Sequence, residues 1–146
     1  MLSPARTVTE ADVVLFAGLS GDHNPLHTDA EFAKRSRFGR PVAHGLLGLV
    51  IASGLAYRLG FLEGTVEAFL SAEWKFRHPF SIGDTVRIRA QVKQKTPVPG
   101  ESAGLVAFGI DLLSQRDEVL QRGQWLMLIK LRDAALGAHR RRARAR

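Results

Sequence analysis

The stretch from Gly45 to Tyr57, GLLGLVIASGLAY, limits what this chain can fold into more than any other segment. It carries no charged residue, and only Ser53 and small glycines interrupt its apolar character. A helix that is apolar on all sides has to be buried. Since a membrane span requires about 20 apolar residues and Arg58 ends this run, we predict a helix in the core of the protein and no membrane partner.

The chain after Gly60 changes from helical spacing to alternation between apolar and polar residues. In DTVRIRAQVKQ, the apolar positions are Val86, Ile88, Ala90 and Val92, and the polar positions are Arg87, Arg89, Gln91 and Lys93. This alternation is typical of a half-buried antiparallel strand. Three more strands are predicted, from Thr65 to Phe76, Ser102 to Ser114 and Val119 to Leu131, with turns at His78-Pro79, Pro97 to Gly100 and Gln115 to Glu118.

The segment before Gly45 has helical signals. Thr9 is followed by the acidic residues Glu10 and Asp12, which is the pattern of a helix N-cap. This helix should end near Ser20-Gly21. Asp29 could cap a second short helix through AEFAKRSRF. Between them, the glycine, asparagine and proline of GDHNPLH disfavour a regular element and predict a tight, fixed loop.

This order of elements predicts the fold class. Helices followed by a run of strands indicate an α+β protein. A curved antiparallel sheet wrapped around the helix of residues 45–57 would bury that helix on every side. Because free strand edges pair readily with another chain, we expect a homodimer.

The composition is that of one domain followed by a charged tail. The chain has 146 residues, of which 45% are hydrophobic, and a formal net charge of +7. We assign residues 1–139 to a single domain and residues 140–146, RRRARAR, to an arginine-rich tail. Subtracting the tail's five arginines leaves +2 for the domain. No aromatic residue lies between these arginines, so a nucleic-acid partner is not favoured, and attraction for the phosphates of coenzyme A stays open.

The absence of cysteine excludes disulfides, thiolate metal ligands and a cysteine nucleophile. The first residues, MLSPARTVTEADVV, lack the pattern of a secretory signal. We therefore expect a cytoplasmic location.

Asp22 and His27 are the first candidates for chemistry. A carboxylate and an imidazole on one fixed loop can hold a single water, and a general base must lie within hydrogen-bond reach of the proton that it takes. The alternative is that Asp22 caps a turn and His27 satisfies a buried polar group. Taken alone, this short motif favours the alternative.

His44 and Gly45 precede the apolar helix and form a second candidate site. A helix N-terminus presents unpaired N–H groups and a partial positive charge, and glycine allows a ligand to approach the backbone closely. Such an N–H could stabilise a carbonyl oxygen that gains negative charge. Packing at Gly45 and capping by His44 are equally compatible with the sequence. Ser53 could contact the same ligand or hydrogen-bond back to the helix.

These features occur together in a segment that resembles a known family. The segment from Phe16 to Leu55, FAGLSGDHNPLHTDAEFAKRSRFGRPVAHGLLGLVIASGL, resembles the hydratase motif of the MaoC-like, R-specific enoyl-CoA hydratases. It matches in order: an aspartate, N-P-L-H, a basic residue with proline, H-G, and an apolar helix with S-G. The resemblance is weaker from Glu73 to Val86, and beyond Thr96 only the strand pattern is similar. The arginine tail is not a family feature.

The resemblance implies a hot-dog fold, a dimer, and reversible hydration of trans-2-enoyl thioesters to R-3-hydroxyacyl thioesters. The carrier would be coenzyme A or acyl-carrier protein. Asp22 and His27 would be the catalytic pair, Gly45 the oxyanion donor, Asn24 a positioning residue, and Ser53 and His44 contacts on the substrate side. No cofactor is implied, and Asp22, Asp29 and the nearby histidines match no recognised metal-ligand spacing.

Three other functions are compatible with parts of the sequence. A hot-dog thioesterase would need a carboxylate on or near the buried helix, and Gly45 to Tyr57 contains none. A non-catalytic acyl-CoA-binding module would leave the Asp22-His27 pair without a purpose. A nucleic-acid binder depends on the arginine tail alone.

Overall fold

The computed structural model describes residues 1–131. Its elements are β1 (Arg6–Thr7), α1 (Glu10–Ser20), α2 (Pro25–Thr28), α3 (Ala30–Lys34), α4 (Gly45–Tyr57), β2 (Val66–Phe76), β3 (Thr85–Pro97), β4 (Ala103–Leu113) and β5 (Val119–Lys130). Helices followed by strands confirm the α+β prediction. The predicted domain boundary at residues 139 and 140 lies outside the described residues. None of the described helices has the length and apolar character needed to cross a bilayer.

The strands form one antiparallel sheet in the order β1-β3-β4-β5-β2. Strands β3, β4 and β5 follow one another as a meander, and β2 pairs with β5 at the far edge. Strand β2 pairs with no second strand in the described chain, so one side of its backbone is free. Strand β1 forms the opposite edge of the sheet. Its two residues are too few to show an alternation of apolar and polar residues in the sequence.

Helix α4 packs against one face of this sheet. Its buried side includes Leu47, Ile51 and Leu55, which join a core with Ile88 and Trp125. The prediction that α4 is buried on every side is wrong for the single chain. Its other side exposes about half of Leu46, Val50 and Tyr57, because one sheet can cover only one side of a helix.

Two local predictions also need correction. The segment GDHNPLH is not wholly irregular, since Pro25 begins the helical turn α2 and Asn24 caps it. Proline suits the first position of a helix because its missing N–H is not needed there. In β3, Val86, Ile88 and Ala90 are buried as predicted, but Val92 is 38% exposed. A register shift between Val92 and Gln94 ends the regular pairing at this point.

Candidate active site

The loop between α1 and α2 holds Asp22 in place through hydrogen bonds to its own backbone. Gly21 ends α1 in the left-handed region, with φ of 75°, and turns the chain away from the helix. The Asp22 carboxylate accepts from the Asn24 N–H at 3.2 Å, and the Asn24 side chain accepts from the Leu26 N–H at 2.9 Å. Asn24 therefore acts on the shape of the loop. The Asp22 side chain is 52% exposed and open to solvent.

His27 lies on α2, and one of its ring nitrogens already forms a hydrogen bond to the backbone. Its Nδ1 lies 2.7 Å from the carbonyl oxygen of Val42. Because a carbonyl oxygen only accepts hydrogen bonds, Nδ1 carries the proton in the neutral ring, and Nε2 retains a lone pair. The half-buried imidazole thus has a fixed orientation and one nitrogen left to bind water or substrate.

His44 connects this loop to the N-terminus of α4. Its Nε2 donates to the carbonyl oxygen of Asp22 at 2.9 Å, and its ring lies against the His27 ring with centroids 3.9 Å apart. Only 2% of His44 is exposed, and Phe16 packs on it at 4.9 Å. His44 forms no side-chain hydrogen bond that caps the helix. In this position it orders the loop, and a direct contact with substrate would need its buried ring to move.

The Asp22 carboxylate and a ring nitrogen of His27 lie within 4.8 Å of each other. A water that hydrogen-bonds to two groups at about 2.8 Å each, at a tetrahedral angle, joins atoms about 4.5 Å apart. The upper limit of 4.8 Å is compatible with one water between the two groups.

Gly45 is the first residue of α4 and follows His44 directly. The first N–H groups of a helix have no acceptor within the helix. The Gly45 N–H also has no backbone acceptor elsewhere in residues 1–131. A Cβ at Gly45 would lie 3.1 Å from the Phe76 ring, so a larger residue would crowd this end of the helix. The contact with Phe76 supports the packing explanation, and the open-backbone explanation stays a prediction.

Ser53 is not brought to this cluster. Its hydroxyl donates to the carbonyl oxygen of Val50 at 2.7 Å, back along its own helix. Eight residues of helix separate it from Gly45, or about 12 Å of rise. At that distance Ser53 lies apart from the residues at the start of α4.

The structure also brings three potential metal ligands together, which the sequence spacing did not indicate. Asp22, His27 and His44 each place one candidate atom within 4.8 Å of the others. The two imidazoles are inclined by 32° with their faces together. Each ring already places one nitrogen on a backbone carbonyl oxygen, which leaves one nitrogen of each ring for a metal ion or another ligand.

Sequence reasoning missed Gln121 on β5. Only 1% of this residue is exposed, although it is polar. Its Nε2 donates to the carbonyl oxygen of Gly45 at 2.9 Å, and its Oε1 accepts from Trp74 Nε1 at 2.8 Å. The sequence did contain a sign of this burial. Gln121 is separated from Trp125 and Met127 by even numbers of residues, so all three side chains lie on the inward face of β5.

The antiparallel sheet packed on one long helix, with an aspartate and a histidine at the N-terminus of that helix, defines a hot-dog protein with an acid-histidine site. A family model described as MaoC-like domain matches residues 1–109. The chain therefore belongs to the MaoC-like dehydratase family.

Relatives and solved structures agree with this assignment. The chain is 40% identical to protein MaoC of Klebsiella aerogenes over 66% of its own length and 28% of that protein. It is 38% identical to an (R)-specific enoyl-CoA hydratase of Rhodospirillum rubrum, over 65% of each. The chain thus spans less than two thirds of these relatives.

Two solved structures share the fold. A protein of Archaeoglobus fulgidus described as a monoamine oxidase regulatory protein superposes with a TM-score of 0.81 at 36% identity, over 89% of this chain and 87% of that one. A MaoC-like dehydratase from Rhodospirillum rubrum gives 0.79 at 28% identity, over 90% of each chain.

Proposed function

We propose that this protein adds water reversibly to the double bond of trans-2-enoyl thioesters and forms R-3-hydroxyacyl thioesters. The observation that carries the proposal is that Asp22 and His27 cluster with His44, the residue that directly precedes Gly45 at the N-terminus of α4. Relatives named (R)-specific enoyl-CoA hydratase and 3-hydroxybutyryl-CoA dehydratase support the substrate class. We take coenzyme A as the carrier, with acyl-carrier protein as the alternative.

Asp22 and His27 activate the water in this reaction. The neutral Nε2 of His27 and the Asp22 carboxylate hold one water between them, and Asp22 removes its proton as general base. The water oxygen then forms a bond to carbon 3 of the enoyl group. The π electrons of the double bond move toward carbon 2 and the thioester carbonyl.

Gly45 stabilises the negative charge that this attack places on the thioester oxygen. Its N–H is unpaired and lies at the positive end of a 13-residue helix. A donor already in position costs no reorganisation during the reaction, so this contribution is large. Carbon 2 then takes the proton that Asp22 removed from the water, which returns Asp22 to its carboxylate form, and one molecule of water has been added overall. The same steps in reverse make the protein a dehydratase.

The proposal includes a homodimer. The free backbone edge of β2 and the exposed side of α4 together carry half-exposed apolar side chains: Leu46, Val50, Tyr57, Phe69, Leu70 and Phe76. Apolar groups of this number beside an unpaired strand edge favour association with a second copy. Such a partner would also cover the side of α4 that the sheet leaves open.

The decisive experiment follows the absorbance of 2-enoyl-CoA thioesters of several chain lengths during hydration, with chiral analysis of the product. We expect loss of the enoyl absorbance and formation of the R-3-hydroxyacyl product. Release of free thiol from acyl-CoA would instead indicate a thioesterase. Binding without turnover would indicate a non-catalytic acyl-CoA-binding module.

A further inference from the structure

We propose that Gln121 is a positioning residue that holds the first turn of α4, and with it the Gly45 N–H, in the orientation required for catalysis. This inference deepens the proposed function and rests on it. Gln121 lies on β5, and it belongs to no part of the motif that resembles the hydratases.

A chain of hydrogen bonds reaches the helix from the sheet. Trp74 Nε1 donates to Gln121 Oε1, and Gln121 Nε2 donates to the carbonyl oxygen of Gly45. Both polar ends of the carboxamide therefore have partners in a buried position. The amide is oriented unambiguously, because an indole N–H only donates and a carbonyl oxygen only accepts.

Helix α4 has room for this side chain because residue 48 is glycine. A Cβ built at Gly48 would lie between 2.4 and 2.7 Å from three atoms of the Gln121 carboxamide. Any other residue at position 48 would expel the carboxamide from its place. Glycine at this position therefore allows Gln121 to reach the carbonyl of Gly45 one turn earlier.

The buried position of the Gln121 carboxamide carries a free-energy cost. A buried carboxamide is expensive unless its hydrogen bonds are satisfied, and an apolar residue at position 121 would fill the same core without that requirement. Unlike an apolar residue, glutamine donates a hydrogen bond to the Gly45 carbonyl oxygen, and this bond holds the orientation of the first turn of α4. A displacement of about 1 Å in a catalytic group can reduce a rate by about 100-fold.

The test begins with Gln121→Met, which keeps the length of the side chain and removes both hydrogen bonds. We expect kcat to fall about 10- to 100-fold with KM nearly unchanged, because a donor used mainly in the transition state has been displaced. Gly48→Ala should give the same type of loss by expelling the carboxamide. An unchanged kcat, or a loss confined to KM, would overturn the inference.

Met127→Ala is the matched control, since Met127 is buried on the same strand and has no hydrogen bond to α4 in the described chain. It should lower the melting temperature at least as much as Gln121→Met and leave kcat unchanged. If both variants lose kcat in proportion to their melting temperatures, Gln121 has only a structural role and the inference fails.

A second readout does not depend on activity. In ¹H–¹⁵N spectra, Gln121→Met should shift the amide resonances of Gly45 and its neighbours in the first turn of α4. The last turn should change much less. If the wild-type protein fails to hydrate any enoyl thioester, the proposed function is wrong, yet these spectra still decide whether Gln121 holds the helix start. Unshifted first-turn resonances would show that it does not.

Discussion

Each histidine of the site commits one ring nitrogen to a backbone carbonyl, and this determines what the other nitrogen can do. His27 donates through Nδ1 to Val42, and His44 donates through Nε2 to Asp22. His27 is left with an Nε2 that carries a lone pair. His44 is left with a buried Nδ1 that has no partner among the described residues. The two imidazoles therefore differ in role although they are in contact.

At this scale we predict that Asp22 and His27 act as one unit. Asp22→Asn keeps the shape but removes the base, and should reduce kcat by about 10²–10⁴-fold. His27→Ala should cost a similar factor. The double variant should be little worse than the poorer single variant, because a water that is already misplaced gives the second group nothing to act on. Steady-state hydration kinetics on the three variants measure this.

Nearby residues of the same type provide the controls. Asp29→Asn alters the cap of α3, and His23→Ala removes an exposed imidazole; both should leave kcat close to that of the wild type. Circular dichroism should show that every variant is folded. If the two losses multiply, or if Asp22→Asn remains fully active, the pair does not activate water.

At the scale of elements, α1 illustrates how the helices are held at their starts. Thr9 and Asp12 form a reciprocal capping box, and Arg6 of β1 donates to both oxygens of Asp12. Burial raises the pKa of Asp12, but the hydrogen bonds from Thr9 and Arg6 and the charge of Arg6 outweigh it and hold that pKa below its ordinary value. The ionised form of Asp12 therefore stabilises the fold.

We predict that Asp12→Asn lowers the free energy of unfolding at neutral pH by about 0.5–2 kcal/mol, the usual cost of losing a cap. A carboxyl with a lowered pKa in the folded state contributes stability above its unfolded pKa, and this contribution is lost as the pH falls through the folded pKa. The deficit of the variant should thus shrink in acid. Urea unfolding at a series of pH values measures it.

Glu31→Gln is the control for this experiment, because Glu31 pairs with Lys34 on an exposed surface where ion pairs contribute little. It should change stability by much less than Asp12→Asn at neutral pH. A deficit for Asp12→Asn that stays constant into acid would mean that the charge of Asp12 is not the source of the stability.

At the scale of the whole molecule, we predict a dimer through α4 and the edge of β2. Light scattering at micromolar concentration should give twice the mass of the chain. Val50→Glu places a charge on the exposed side of α4 and should yield a folded monomer with reduced activity. Gln91→Glu, on the polar face of β3, should remain dimeric. A wild-type monomer that is stable and active would disprove the dimer.

The arginine tail is the second prediction at this scale. Residues 140–146 lie outside both the hydratase-like segment and the span that matches the family model. Their deletion should leave kcat nearly unchanged. Because five arginines attract phosphate groups in a salt-dependent way, KM for coenzyme A substrates should rise at most modestly, and only at low salt. Kinetics at two salt concentrations test this, and a large fall in kcat would place the tail in the site.

The sequence alone determined the elements whose signals are local. The uncharged run predicted α4 from Gly45 to Tyr57 with the bounds that the structure has. The predicted bounds of β2 to β5 agree within one residue, except that β3 continues three residues beyond Gln94 to Pro97. The caps at Thr9 and Asp29 were also readable, because a capping side chain bonds to backbone only a few positions away. The candidate residues of the loop were recognisable because they lie within six positions of one another.

The tertiary structure alone decided what depends on distant contacts. It paired His27 with Val42 and His44 with Asp22, left one side of α4 exposed, and gave Gln121 its place beside Gly45. Residues 45 and 121 are separated by 76 positions, so no periodicity within either element could relate them. A hydrogen bond across a core depends on the path of the chain, and the fold determines that path.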